Sequence, residues 1–77
     1  MDWRERISIN PRICNGKACI KGTRVMVAVI LDNLAEGENE QAIMEGYKVT
    51  REDIHAALAC AARLAEDRYV PLEQGVT

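Results

Sequence analysis

Along the chain the apolar positions change rhythm near residue 25. Before it they alternate: Ile7 and Ile9 are separated by Ser8 and followed by Asn10, the period-two pattern of a strand with one buried face. Pro11 then bends the chain or starts a strand. Asn15-Gly16 is the strongest local signal, because both central positions of a type I′ turn take positive φ and Asn-Gly tolerates that geometry. A hairpin closed there sets Cys14 opposite Lys17, Ile13 opposite Ala18, Arg12 opposite Cys19 and Pro11 opposite Ile20. That register collects Ile13, Ala18 and Ile20 on one face and Arg12, Cys14, Lys17, Cys19 and Lys21 on the other.

Beyond residue 25 the rhythm is helical. Val25 to Glu36 is apolar at nearly every position and stops at Gly37, a residue suited to a left-handed helix cap. So apolar a segment predicts the central helix, although Val25, Met26 and Val27 also read as the end of a strand. Asn39 predicts the cap of a second helix with acids in its first turn, Ile43 and Met44 as its anchors and Gly46 as its end. Thr50-Arg51-Glu52-Asp53 resembles a capping box with Asp in the place of Glu. The helix it opens carries Ile54, Ala57, Leu58, Ala61 and Leu64 or Ala65 at helical spacing and ends before Pro71. The elements are a β-hairpin region over about 7–25 and helices over about 27–36, 39–46 and 50–68. Together they predict a mainly α fold, a three-helix bundle of helix-turn-helix outline with a short N-terminal β-hairpin.

Composition bounds what such a chain does. With 77 residues, 48% of them hydrophobic and no Phe, it supports one core of Ile, Val, Leu, Met and Ala, and so a single domain over residues 1–77. No apolar run is long enough to cross a bilayer. The charged opening Asp2-Trp3-Arg4-Glu5-Arg6 stands where a signal peptide would turn apolar, and Cys14, Cys19 and Cys60 are an odd set without scaffold spacing. A cytoplasmic protein with reduced thiols is the expectation.

Net charge conceals an asymmetry. Residues 1–30 hold six Lys/Arg against two acids, a balance of +4, and residues 31–77 hold four against ten, a balance of −6, which together give the net −2. In a helix-turn-helix reading the helix opening at Thr50 would enter a DNA groove, yet its first turn, Arg51-Glu52-Asp53, brings two carboxylates toward phosphates. The basic hairpin face is the better candidate for nucleic acid, since a two-stranded ribbon fits the major groove. Arg12, Lys17, Lys21, Arg24, Lys48 and Arg51 are the candidate nucleic-acid contacts. The same cations on Arg12, Lys17 and Lys21 also serve to keep an edge strand soluble.

Metal and catalytic chemistry find little support. Cys14, Cys19, Cys60 and His55 match no zinc spacing. In the hairpin register Cys14 and Cys19 are diagonal neighbours roughly 7–8 Å apart, too far for an easy disulfide. Gly16-Lys17 and Gly22-Thr23 lack the Walker order, and a nucleophile–base pair with His55 has no local support. The reading is a protein without catalytic residues, metal, cofactor or small-molecule substrate.

The run Asn10-Pro11-Arg12-Ile13-Cys14-Asn15-Gly16-Lys17-Ala18-Cys19-Ile20-Lys21-Gly22-Thr23-Arg24-Val25 resembles the opening of a bacterial and archaeal family, domain of unknown function number 433. That family pattern runs Pro, a few residues, Gly-Lys-Pro, an apolar residue, Ile, a basic residue, Gly-Thr-Arg and Ile or Val. The likeness continues through Ile30 to Gly37, Gly46-Tyr47 and Thr50 to Leu58, and covers about residues 7–62. Ala18 stands where the family usually has Pro, and Met26 where Pro is frequent; the second departure implies an extended chain to about residue 26 and a first helix from about Val27. The resemblance implies a homeodomain-like three-helix module and an antitoxin-like role beside a PIN-like ribonuclease toxin.

The leading expectation is therefore an antitoxin-like binding protein that neutralises such a ribonuclease and also binds its own operator DNA. Its acidic half suits a basic RNA-holding surface, with Glu36, Glu38, Glu40, Glu45, Glu52 and Asp53 as candidate partner contacts. A stand-alone DNA-binding regulator and a structural dimerisation module are the alternatives. A small core poor in aromatics also predicts a homodimer, through the hairpin edge or through Leu64, Ala65, Tyr69 and Val70.

Overall fold

The computed structural model describes residues 2–67. A small N-terminal layer, in which β1 (Ile7–Ser8) pairs antiparallel with β2 (Cys19–Ile20), precedes three helices, α1 (Val27–Ala35), α2 (Glu40–Tyr47) and α3 (Arg51–Asp67). This is the mainly α, three-helix arrangement with a short N-terminal hairpin that the pattern predicts. The last expected helical residue, Arg68, lies outside the described residues.

The hairpin register differs from the one expected. Ile7 faces Ile20 and Ser8 faces Cys19, so residues 11–14 are not the partner strand. Pro11 has no N–H for a ladder, and the Asn10 side chain bends the chain just before it by accepting the Arg12 N–H at 2.8 Å. Burial then decides the register: Ile7 and Ile20 are inside, whereas Ile13 stays half-exposed. Asn15-Gly16 does turn the chain, with φ of 56° and 80° and the Lys17 N–H donating to the Cys14 carbonyl at 3.0 Å. It closes a loop rather than a ladder.

On its other side β2 meets the chain entering α1. The Ile20 N–H donates to Val25 O at 2.9 Å, the Val27 N–H donates to Ala18 O at 3.0 Å, and Cys19 bridges Met26. The Thr23 hydroxyl closes the turn between them, donating to Ile20 O at 2.8 Å and accepting the Val25 N–H at 3.0 Å. Met26 is still extended, so α1 starts at Val27, as the departure from the family pattern implies.

Each helix end has a visible cause. After α1, Gly37 is left-handed, with its N–H on Leu34 O and the Glu38 N–H on Asn33 O, both at 3.0 Å, the paired bonds of a Schellman cap. Asn39 caps α2 by accepting the Ala42 N–H at 2.8 Å. That helix runs past Gly46 to Tyr47, and Lys48 takes the left-handed position at φ 60°. The Val49 N–H, returning to Met44 O at 3.2 Å, shows why the extra residue is admitted: it lets Val49 turn into the core.

Ile7, Ile20, Val27, Ile30, Ile43, Val49, Ile54, Ala56 and Ala57 form the core, with Trp3, Leu34, Met44 and Tyr47 packed around it. Ile30, Ile43 and Ile54 are essentially inaccessible, each a gain of about 1.5–3 kcal/mol over exposure. The α3 stripe is rotated from the expected one. Asp53, Ile54, Ala56, Ala57 and Cys60 face inward, while Leu58 and Leu64 are 44% and 51% exposed. The helix is apolar on almost every side over residues 56–62, so spacing alone does not select a face, and the small Ala56 and Ala57 fit where the other elements approach closely.

Candidate functional site

The corner between α2 and α3 carries a connected polar assembly that joins the N-terminal layer to α3. The Thr50 hydroxyl accepts the Asp53 N–H at 3.1 Å, and the Asp53 carboxylate accepts the Thr50 N–H at 3.0 Å, the reciprocal capping box with Asp in place of Glu. The other Asp53 oxygen accepts from the Arg6 guanidinium at 3.1 Å. Arg6 also fixes the start of the next turn, its carbonyl accepting the Lys21 N–H at 2.8 Å. Asp53, expected as a partner contact, is therefore spent on the fold: it is buried, and both oxygens are engaged. Nothing in the local pattern points to a partner 47 positions away. Glu5, Arg6, Lys21 and Asp53 line an open cleft of about 290 Å³ here, which sets the turn after β2 beside the start of α3.

Arg12, Lys17, Lys21, Arg24 and Lys48 are exposed, and among the described residues none has a carboxylate partner. Four of them lie on the loop before β2 and the turn after it. Lys48 stands apart, on the left-handed residue between α2 and α3. Arg51 is different: its guanidinium is held by Glu40 at 3.0 Å, and His55 lies 3.6 Å from the same carboxylate.

The acids divide in the same way. Glu40 holds Arg51 and has the His55 imidazole 3.6 Å away, and among the described residues Glu45 accepts only the neutral Gln41 amide at 2.8 Å. Glu36, Glu38 and Glu52 are exposed without a cationic partner among the described residues. Between Glu52 and Glu66 the outward face of α3 presents Leu58, Ala62 and Ala65, all exposed, at spacings of four and three. Beside it, Trp3, Ala59, Ala62, Arg63 and Glu66 line a groove of about 350 Å³, and Arg4 stacks on Trp3 at 4.7 Å. Leu64 and Ala65, expected at a dimer surface, are exposed; Tyr69 and Val70 lie outside the described residues.

The thiols are placed otherwise than the expected register put them. Cys14 is half-buried and its thiol lies 3.5 Å from the Arg24 carbonyl, over the chain that runs back along β2. Cys19 is buried; burial pushes its thiol up, the Cys14 thiol adds to that, and the Arg24 guanidinium opposes it. Cys60 packs on the inner face of α3, where burial pushes its thiol up as well. Among the described residues no three His, Cys, Asp or Glu side chains are grouped as metal ligands, and no helix is long and apolar enough to cross a membrane.

These features define a small helix-turn-helix-type domain with an N-terminal β layer, cations on that layer that lack carboxylate partners among the described residues, and an apolar, acid-flanked face on α3. Residues 7–61, well over half the chain, match the family described as Protein of unknown function (DUF433), and the chain belongs to that family. The crystal structure of a DUF433 member protein from Anabaena variabilis is similar at 28% identity and a TM-score of 0.74, over 80% of this chain and 62% of that one. The chain thus spans less than two thirds of that protein. No curated protein matches it.

Proposed function

We propose that this protein is a non-enzymatic, antitoxin-like binding module that masks a PIN-like ribonuclease. The observation that carries the reading is the outward face of α3. In a helix-turn-helix pair this is the face that would read bases, a task for Arg, Lys, Asn or Gln. Here it offers Leu58, Ala62 and Ala65 with Glu52 at one end, and its Arg51 is already held by Glu40. An apolar strip flanked by carboxylates suits a protein surface rich in cations, and an RNA-holding ribonuclease cleft is such a surface. Glu36, Glu38, Glu45 and Glu52 are the acids left to meet it.

Co-expression with a PIN-like ribonuclease encoded beside this gene, followed by size-exclusion chromatography, tests the reading. Co-elution is expected, with loss of co-elution for Leu58→Glu at unchanged helicity. A ribonuclease that elutes separately at micromolar concentration refutes it.

A second reading, operator binding, is favoured by the exposed cations Arg12, Lys17, Lys21 and Arg24 on the loop and turn either side of β2, which have no carboxylate partner among the described residues. Three or four phosphate contacts give a slope of log affinity against log salt of about −3. Titration of the upstream DNA at several salt concentrations measures it, and unchanged binding after Arg12, Lys17 and Lys21 become Ala rejects it. Exposed Ile9 beside β1 and Leu64 near the end of α3 favour a two-fold homodimer that would double either surface. Sedimentation equilibrium reads it directly.

A further inference from the structure

Cys14 and Cys19 are five positions apart, and both lie against the segment that leads into α1. Cys14, Asn15 and Gly16 all have positive φ, at 54°, 56° and 80°. Asn and Gly accept that region readily; a cysteine is held in it against its own preference, and such backbone is a mark of a site whose geometry is imposed by its surroundings. The imposed conformation sets the Cys14 thiol 3.5 Å from the Arg24 carbonyl. Arg24 leads into Val25-Met26, which runs antiparallel to β2 and bridges Cys19. Both cysteines therefore lie along one short stretch of sheet, Cys14 half-exposed and Cys19 buried, and the Cys14 thiol and the Arg24 guanidinium both act on the Cys19 thiol.

We propose that Cys14 and Cys19 form a peroxide-sensitive dithiol, a modification site that closes to a disulfide and locks the left-handed turn leading to Lys17. The proposal is independent of the ribonuclease reading. Hydrogen peroxide is the oxidant. The more accessible Cys14 sulfur attacks it, forming an S–O bond as the O–O bond breaks, to give Cys14 sulfenic acid and water. The Cys19 sulfur then attacks Cys14, forming the S–S bond as the S–O bond breaks; the departing hydroxide takes the Cys19 proton and leaves as a second water. Two thiols are oxidised and one peroxide is reduced. Burial, which disfavours the Cys19 thiolate, makes Cys14 the sulfur that meets peroxide and Cys19 the one that resolves it.

Tryptic mapping of the peroxide-treated full chain tests this, because cleavage after Arg12, Lys17 and Lys21 puts each cysteine on its own peptide, 13–17 and 18–21. The expected product is those two peptides joined by a bond that dithiothreitol reverses, formed before the buried Cys60 loses its thiol. In Cys19→Ala, Cys14 should stop at a sulfenic acid that dimedone captures. Mixing isotope-labelled and unlabelled chains distinguishes a bond within one chain from one between two. Both thiols still alkylatable after peroxide, a bond through Cys60, or a bond between chains overturns the proposal. The wild-type map decides even if the variant does not fold.

Discussion

Asp53→Ala removes the acceptor for two separate contacts, and the structure allows their costs to be worked out independently. The first is the capping box, where the Thr50 N–H loses its partner at 3.0 Å and α3 loses a carboxylate in its first turn; losses of this kind cost about 1 kcal/mol for the cap and about 0.5 kcal/mol for the dipole. The second is the ion pair with Arg6, whose side chain is 39% exposed, so solvent screening holds its worth to about 1 kcal/mol. Together the substitution should cost roughly 2–3 kcal/mol, which for a domain of this size lowers Tm by about 10–20 °C. Thermal and urea melts followed by circular dichroism measure it. Arg6→Met should cost only the ion-pair share, and the double variant should show a coupling of about 1 kcal/mol. If the two substitutions add without coupling, the Arg6–Asp53 contact does not hold the N-terminal layer to α3. A loss below about 0.5 kcal/mol for Asp53→Ala would refute the capping argument as well.

Ile54→Ala, at a position with no accessible surface, should cost about 2–5 kcal/mol, enough to leave a domain of marginal stability largely unfolded by urea titration at room temperature. Lys48→Gly should instead stabilise by about 1 kcal/mol, because it relieves a left-handed non-glycine residue at φ 60°. Gly37→Ala should do the reverse by about the same amount, although no atom stands near the added methyl, so a higher midpoint there would contradict the conformational account. Asn39→Ala removes the α2 cap and should lower stability by about 1 kcal/mol, read as a lower Tm.

The helices, the end of α1 and the starts of α2 and α3 were legible in the sequence because their causes are local, whereas α2 ends at Tyr47 before a left-handed Lys48 rather than at Gly46. Asn39, Gly37 and the Thr50–Asp53 box act within a few residues of themselves, and the apolar spacing of Ile43 and Met44 needs no knowledge of what they pack against. The Asn15-Gly16 turn was legible for the same reason. Where a choice depended on distant residues, local pattern did not decide it. The hairpin partner of β2 is Ile7–Ser8 rather than residues 11–14, because burial of Ile7 and Ile20 under the helices outweighs the proximity of the turn. The inner face of α3 is set by the fit of Ala56 and Ala57 into the core, which an almost uniformly apolar stretch leaves open.

The candidate surfaces divide along the same line. The amino-acid sequence by itself determined the segregation of charge: cations cluster before residue 30 and acids beyond it, whatever the fold. Only the tertiary structure decided which of those charges remain available. It consumed Asp53 in the clasp to Arg6, joined Arg51 and His55 to Glu40, and left Arg12, Lys17, Lys21, Arg24, Glu36, Glu38 and Glu52 without charged partners among the described residues. It also turned Leu58, Ala62 and Ala65 outward and set Cys14 and Cys19 against the same segment before α1. Charge type is a property of single residues, whereas pairing, burial and thiol proximity depend on which distant segments the core draws together.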